Sequence, residues 1–142
     1  MTAPVIYRCI AGRYDPEVAS RQPQFWADSI EAALEYGQRE RARYLITAEV
    51  SMSRPLSIRN DAEALAAAEL LGTRWAFPDF YSDVLDTHSA AARLMEHGYD
   101  GVILDDASGR IDHLTHVALP NTKVRILEQA LVQDPTLASL RP

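Results

Sequence analysis

"QFWADSIEAALEYG", residues 24–37, changes its rule of construction halfway. Its opening carries two adjacent aromatics and suits a short, half-buried strand. Asp28 and Ser29 are both helix-capping residue types, and either fits here. Asp28 has Glu31 three positions on, the spacing of a capping box. From Ile30 onward apolar residues recur at helical intervals, with Ile30, Ala33, Leu34 and Gly37 on one face. The stretch predicts a strand, a capped turn and a helix continuing through residue 43. Strand alternation sends Phe25 and Trp26 to opposite sides, and Trp26 reads as core.

Working outward, "PVIYRCIAG" (4–12) is apolar and β-branched and predicts a first strand closed by Gly12. "RYDPEVASRQP" (13–23) holds two prolines and reads as a loop. "RYLITAEVSM" (43–52) is a strand with Tyr44, Ile46, Ala48 and Val50 on one side. "SRPLSIRN" is extended. Asn60 caps a helix over 61–72, "DAEALAAAELLG", ended by glycine. Residues 73–86 are aromatic and irregular, and 87–98 form another helix stopped by Gly98. Strands follow over "YDGVILDD" (99–106), "IDHLTHVALP" (111–120) and "TKVRILE" (122–128). The tail from Gln129 reads as weakly helical, then loose. The order gives an α+β class with a split, mostly antiparallel sheet and flanking helices, as a single domain over 1–142.

Composition narrows the function. The chain has 142 residues and a net charge of −6, which argues against broad nonspecific binding to nucleic acid or anionic membranes. No apolar run is long enough to span a bilayer, and "MTAPVIYRC" lacks the pattern of a signal peptide. Cys9 is the only cysteine, so an intrachain disulfide framework and a cysteine-based zinc site are excluded. The expected compartment is the cytoplasm of the producing or host cell.

The stretch 24–37 resembles the second motif of ADP-ribosyltransferases of the diphtheria-toxin and poly(ADP-ribose) polymerase type. There, a strand reading aromatic–aromatic–Ala–Asp leads into a helix that carries a tyrosine. "VIYRC" resembles the family's first motif, and "AARLMEHGYDGVILDD…HVALPNTKVRI" resembles the ending of small phage and bacterial members. The resemblance covers about half the chain, at its two ends. It implies NAD as substrate, with Phe25 and Tyr36 around the nicotinamide, Arg8 and Tyr7 at the first motif, and Ser29 at the cofactor or capping the helix. The acceptor it implies is a protein target or a nucleic acid, and the role that of a toxin, effector or phage counter-defence protein.

The chemistry suits those residue types. Breaking the nicotinamide–ribose bond passes through an oxocarbenium-like state, so a site must grip a cationic ring and set negative charge nearby. Aromatic faces hold such a ring, and arginine is a planar, multidentate donor. Active family members begin the valine-rich strand with a glutamate, sometimes an aspartate or a glutamine. Thr115 occupies that slot here, with Asp112 three residues earlier as the substitute catalytic acid and Asp105, Asp106 and His113 as neighbours. A catalytically inactive interaction module and an NAD glycohydrolase are the alternatives. A metal reading of Asp112, His113 and His116 is poor, because strand alternation turns the two histidines apart. Cys9, mid-strand in apolar company, reads as an inert thiol.

Overall fold

In the computed structural model, the described residues are 4–12, 14–19, 21, 23–40, 44–72, 88–106 and 113–132. The elements are β1 (Val5–Ile10), α1 (Pro16–Ala19), β2 (Gln24–Ala27), α2 (Ile30–Glu40), β3 (Tyr44–Ser51) and β4 (Leu56–Ile58). They continue with α3 (Asp61–Leu71), α4 (His88–Glu96), β5 (Val102–Asp106), β6 (His113–Ala118) and β7 (Lys123–Leu131). The strands make a seven-stranded sheet in the order β4-β5-β6-β2-β1-β3-β7. Only β4 and β5 run parallel; the other pairs are antiparallel. The expected α+β class and mostly antiparallel sheet are observed.

The sheet is open and continuous, and its thinnest joint lies at the centre. β1 and β3 pair along six positions, but β1 and β2 share one register pair, Tyr7 opposite Ala27. Helices cover one face of the sheet. Ala32 and Ala33 of α2 seat on Ala27, Tyr7, Cys9 and Leu45. Ala64 and Ala67 of α3, with Ala91 and Leu94 of α4, close over Ile58, Val102, Leu104, Val117 and Leu119. Alanine at the contacts lets helix backbones come close to the strands. The opposite face buries Ile6, Trp26, Ile46, Ala48, Val50 and Ala118.

The helix ends are settled by local chemistry. Asn60 Oδ1 accepts from the Glu63 N–H at 2.8 Å, and Gly72 closes α3 at φ 67°, a left-handed conformation that glycine adopts at low cost. At α2 the capping box on Asp28 and Glu31 does not form. Ser29 is the cap: its Oγ accepts from Ala32 N–H at 3.2 Å, and its carbonyl accepts from Ala33 N–H at 3.1 Å. Asp28 is taken by β6 instead, accepting from Leu114 N–H at 3.0 Å while its own N–H donates to the Leu114 carbonyl.

Three further expectations change. Residues 16–19 of the expected loop make the turn of helix α1. Ile30 is 39% exposed, whereas Ala32 joins Ala33 in the core. Residues 129–131, read as the start of a helical tail, are the end of β7, where Gln129, Ala130 and Leu131 pair with Ile46, Leu45 and Tyr44. The long strand β3 supplies a template whose ladder outweighs weak local helix propensity.

Candidate functional site

The three strands that carry the sequence motifs, β1, β2 and β6, lie side by side at the middle of the sheet. Tyr7 stands opposite Ala27, and Ala27 opposite Thr115, so one residue from each motif falls in a single row on the helix face. Ser29, at the α2 N-terminus, adjoins this row. Phe25, opposite Val117, is half-buried on the same face and packs against the core under α3 and α4. Thr115, in the acid's slot, is 4% exposed, between Ala27 and Leu104.

The parting of β1 from β2 has a defined direction. Val50 N–H donates to the Pro4 carbonyl, which sets the phase of the β1–β3 ladder. Even-numbered residues of β1 therefore turn their backbone groups toward β3, and Val5, Tyr7 and Cys9 turn theirs toward β2. Past the single Tyr7–Ala27 pair, Cys9 and Phe25 are the next facing positions along the two strands. Burial pushes the Cys9 thiol up to about 11, so the sulfur is protonated near neutrality and is no nucleophile there.

The opposite face of the same strands holds a second row. Arg8, on β1 opposite Ile46, lies on the face that buries Trp26. Trp26 is opposite His116, and His116 opposite Ile103. Trp26 is fully buried and His116 is 7% exposed. Trp26 Nε1 and His116 Nδ1 are buried without a hydrogen-bond partner among the described residues, and one terminal nitrogen of Arg8 is buried as well. A buried polar group left unpaired costs about 1–3 kcal/mol, so two in adjacent positions are a conspicuous expense. Burial drives the His116 imidazole below its ordinary pKa; the Asp28 carboxylate opposes that shift and the Arg59 charge adds to it.

Tyr14 leans over this row. Its ring lies 5.8 Å from that of Trp26, its hydroxyl donates to Gln24 Oε1 at 2.6 Å, and its N–H donates to Gln129 Oε1 at 3.0 Å. Burial raises the Tyr14 hydroxyl, while the Gln24 bond and the Arg8 charge pull it down.

The structure thus brings Tyr7, Phe25, Ser29 and Thr115 to one face and puts Arg8 on the other. Tyr36 belongs to α2, but its side chain lies outside the described residues, as do those of Asp106 and His113. Asp112 lies outside them altogether. Asp105 is half-buried on β5 opposite Leu114. Ser29 is occupied as a cap. Trp26 is core, as its alternation with Phe25 predicts, yet it is also the neighbour of His116, Tyr14 and Gln24. Sequence reasoning passed over Tyr14 and Gln24. Alternation along β2 places Gln24 with Trp26, but only the pairing of β2 with β6 adds His116.

Among the described residues, no group of three His, Cys, Asp or Glu side chains is placed to hold a metal ion. No helix among them is long and apolar enough to cross a membrane. A surface hollow of about 480 Å³ lies away from both rows, on the outer strands, lined by Glu49, Ser51, Thr122, Lys123, Val124 and Arg125. Two of its charged side chains, Arg125 and Glu49, form an ion pair at 2.6 Å.

No protein-family model matches the chain, and no curated protein matches its sequence. Among solved structures, a chain of the M. tuberculosis MbcT–MbcA toxin–antitoxin complex superposes with a TM-score of 0.65 at 16% identity, covering 96% of this chain and 87% of its own. An anti-CRISPR protein superposes with a TM-score of 0.50 at 13% identity, covering 89% of this chain and 96% of its own. At these identities the likeness is one of fold, and the fold is shared with a member of a toxin–antitoxin complex.

Proposed function

We propose that the chain is an NAD-dependent mono-ADP-ribosyltransferase that modifies a macromolecular target as a toxin, effector or phage counter-defence protein. The observation that carries this reading is the row Tyr7–Ala27–Thr115. Three motifs far apart in sequence meet in register, beside the α2 N-terminus and the parting of β1 from β2. Phe25 lies on the same face and offers an aromatic surface to a cationic nicotinamide, with Tyr36 as the second aromatic. Cys9, through its backbone groups turned toward β2, supplies a donor and an acceptor for the carboxamide. Arg8 reaches the ligand from the other side of the parting, and Asp112 supplies the carboxylate that steadies the developing oxocarbenium ion. The names of the two structural neighbours, a toxin–antitoxin complex and an anti-CRISPR protein, fit a role against a cellular target, with a protein as the favoured acceptor and a nucleic acid as the other.

Thr115 favours a second reading. Where active members of the resembled family keep an acid, this chain keeps a buried hydroxyl. A binding module on the same scaffold, without chemistry, needs no acid there.

Nicotinamide release from NAD separates the two. With purified protein, with and without host extract, we expect release that falls at least tenfold in Arg8→Ala, Tyr36→Ala and Asp112→Asn. Release only with extract marks a transferase, and release without extract marks a glycohydrolase. No release in either case, together with no heat of NAD binding in calorimetry, leaves the binding module.

A further inference from the structure

We propose that the Trp26–His116 pair is the floor of an oxyanion-binding site on the face opposite the helices, with Arg8 and Tyr14 as its rim and a carboxylate or phosphoryl group as its ligand. The inference goes beyond the NAD reading; the two share Arg8, but this one rests on Trp26 and His116.

Trp26 and His116 sit directly opposite each other on β2 and β6, where facing side chains start about 5 Å apart. Each presents a buried ring nitrogen with no hydrogen-bond partner among the described residues. The indole N–H is a donor only, so whatever satisfies it must bring an acceptor. In the neutral form favoured by its lowered pKa, His116 supplies a second N–H when the proton rides on Nδ1. Arg8, on the next strand and the same face, brings a positive charge that already reaches Tyr14. Two buried N–H donors in facing positions, beside a guanidinium, are the chemistry that grips an oxyanion.

Burial is graded in the same sense. The floor is buried, whereas Arg8, Tyr14 and Ile10 at the rim are half-buried. Gln24, itself 5% exposed, holds the Tyr14 hydroxyl and so anchors the rim to β2. No carboxylate hydrogen-bonds either nitrogen among the described residues. Asp28, the nearest acid by its influence on His116, is bound to the β6 backbone.

The test follows the indole N–H by nitrogen–proton correlation spectra. The Trp26 resonance is assigned by its loss in Trp26→Phe; if that variant does not fold, Trp75→Phe assigns it by elimination. Wild-type protein is titrated with sodium phosphate and, separately, with sodium acetate, against sodium chloride at matched ionic strength. We expect a saturable downfield shift of the Trp26 N–H with at least one oxyanion and none with chloride. We also expect at least a tenfold weaker apparent affinity in Arg8→Gln and in His116→Gln. Saturation by phosphate alone assigns a phosphoryl ligand, and saturation by acetate a carboxylate. A resonance that moves with neither oxyanion, moves only linearly, or responds unchanged in both variants overturns the site. Nicotinamide release is scored on wild type and on His116→Gln, whose residue has no part in the NAD reading, so either reading can fail while the other stands.

Discussion

Replacing Thr115 by glutamate puts the acid of the resembled family back in its slot. The structure states what that should do. Thr115 is 4% exposed, and its register partners Ala27 and Leu104 are 6% and 0% exposed. No positive side chain is opposite it on either strand. A carboxyl held there is forced toward its neutral form, so its folded pKa lies above its unfolded value of about 4.3. A carboxyl raised in this way is harmless at low pH and increasingly destabilising as pH climbs past the unfolded value. At about 1.36 kcal/mol per pH unit, keeping it protonated costs about 1 kcal/mol at pH 5 and about 3.7 kcal/mol at pH 7. For a domain of this size that is roughly 3 °C and roughly 11 °C of melting temperature. Thr115→Gln carries the same bulk without the charge, and isolates the electrostatic part. Melting both variants across pH 5–7 should show a gap between them that widens by about 8 °C, with nicotinamide release no higher than in wild type. A glutamate variant that melts with the glutamine variant at every pH and gains release would refute the reasoning, because the slot would then open to solvent and lack only its acid.

Other consequences are more local. Asn60→Ala removes the acceptor for the Glu63 N–H and should lower stability by about 1 kcal/mol in urea unfolding; a change below about 0.3 kcal/mol would deny the cap its role. His116 has a folded pKa below its unfolded 6.5, so the unfolded chain binds more protons and stability should fall as pH drops below that value. His116→Gln should flatten this acid limb, and an equally steep limb in the variant would assign it elsewhere. Cys9, at about 11 against 9.0 for an unperturbed thiol, should hold about a hundredfold less thiolate near pH 8 and react with iodoacetamide correspondingly more slowly than in denaturant. Equal rates would show that the thiol is not buried.

Much of the fold is written in local pattern. The alternation of Ile46, Ala48 and Val50, the Asn60 cap, and the Gly72 and Gly98 stops each depend on a few adjacent residues, and each appears where the pattern places it. What escaped depends on distant partners. Asp28 and Ser29 are equivalent caps until Leu114 of β6 claims the Asp28 carboxylate. Residues 129–131 have little strand character until β3 offers its edge. The site shows the same limit. Within β1, alternation separates Tyr7 from Arg8, and within β2 it separates Phe25 from Trp26. Which side of one strand matches which side of the other is set only by the Tyr7–Ala27 pair, a contact across twenty residues.

That register has little freedom to slip. Moving β2 by one residue relative to its neighbours would turn Trp26 toward α2, where Ala32 and Ala33 leave room for an alanine. The indole is instead buried on the opposite face, in the row that holds Arg8 and His116, while Tyr7, Phe25 and Thr115 lie beneath the helices. Arg8 and Phe25 thus lie on opposite faces of the sheet, on either side of the joint where β1 and β2 share the single pair Tyr7–Ala27. A ligand confined to one face meets either a lining of aromatic and small side chains or a row of nitrogens. The bulk of Trp26, rather than any catalytic group, is what keeps these two surfaces chemically distinct.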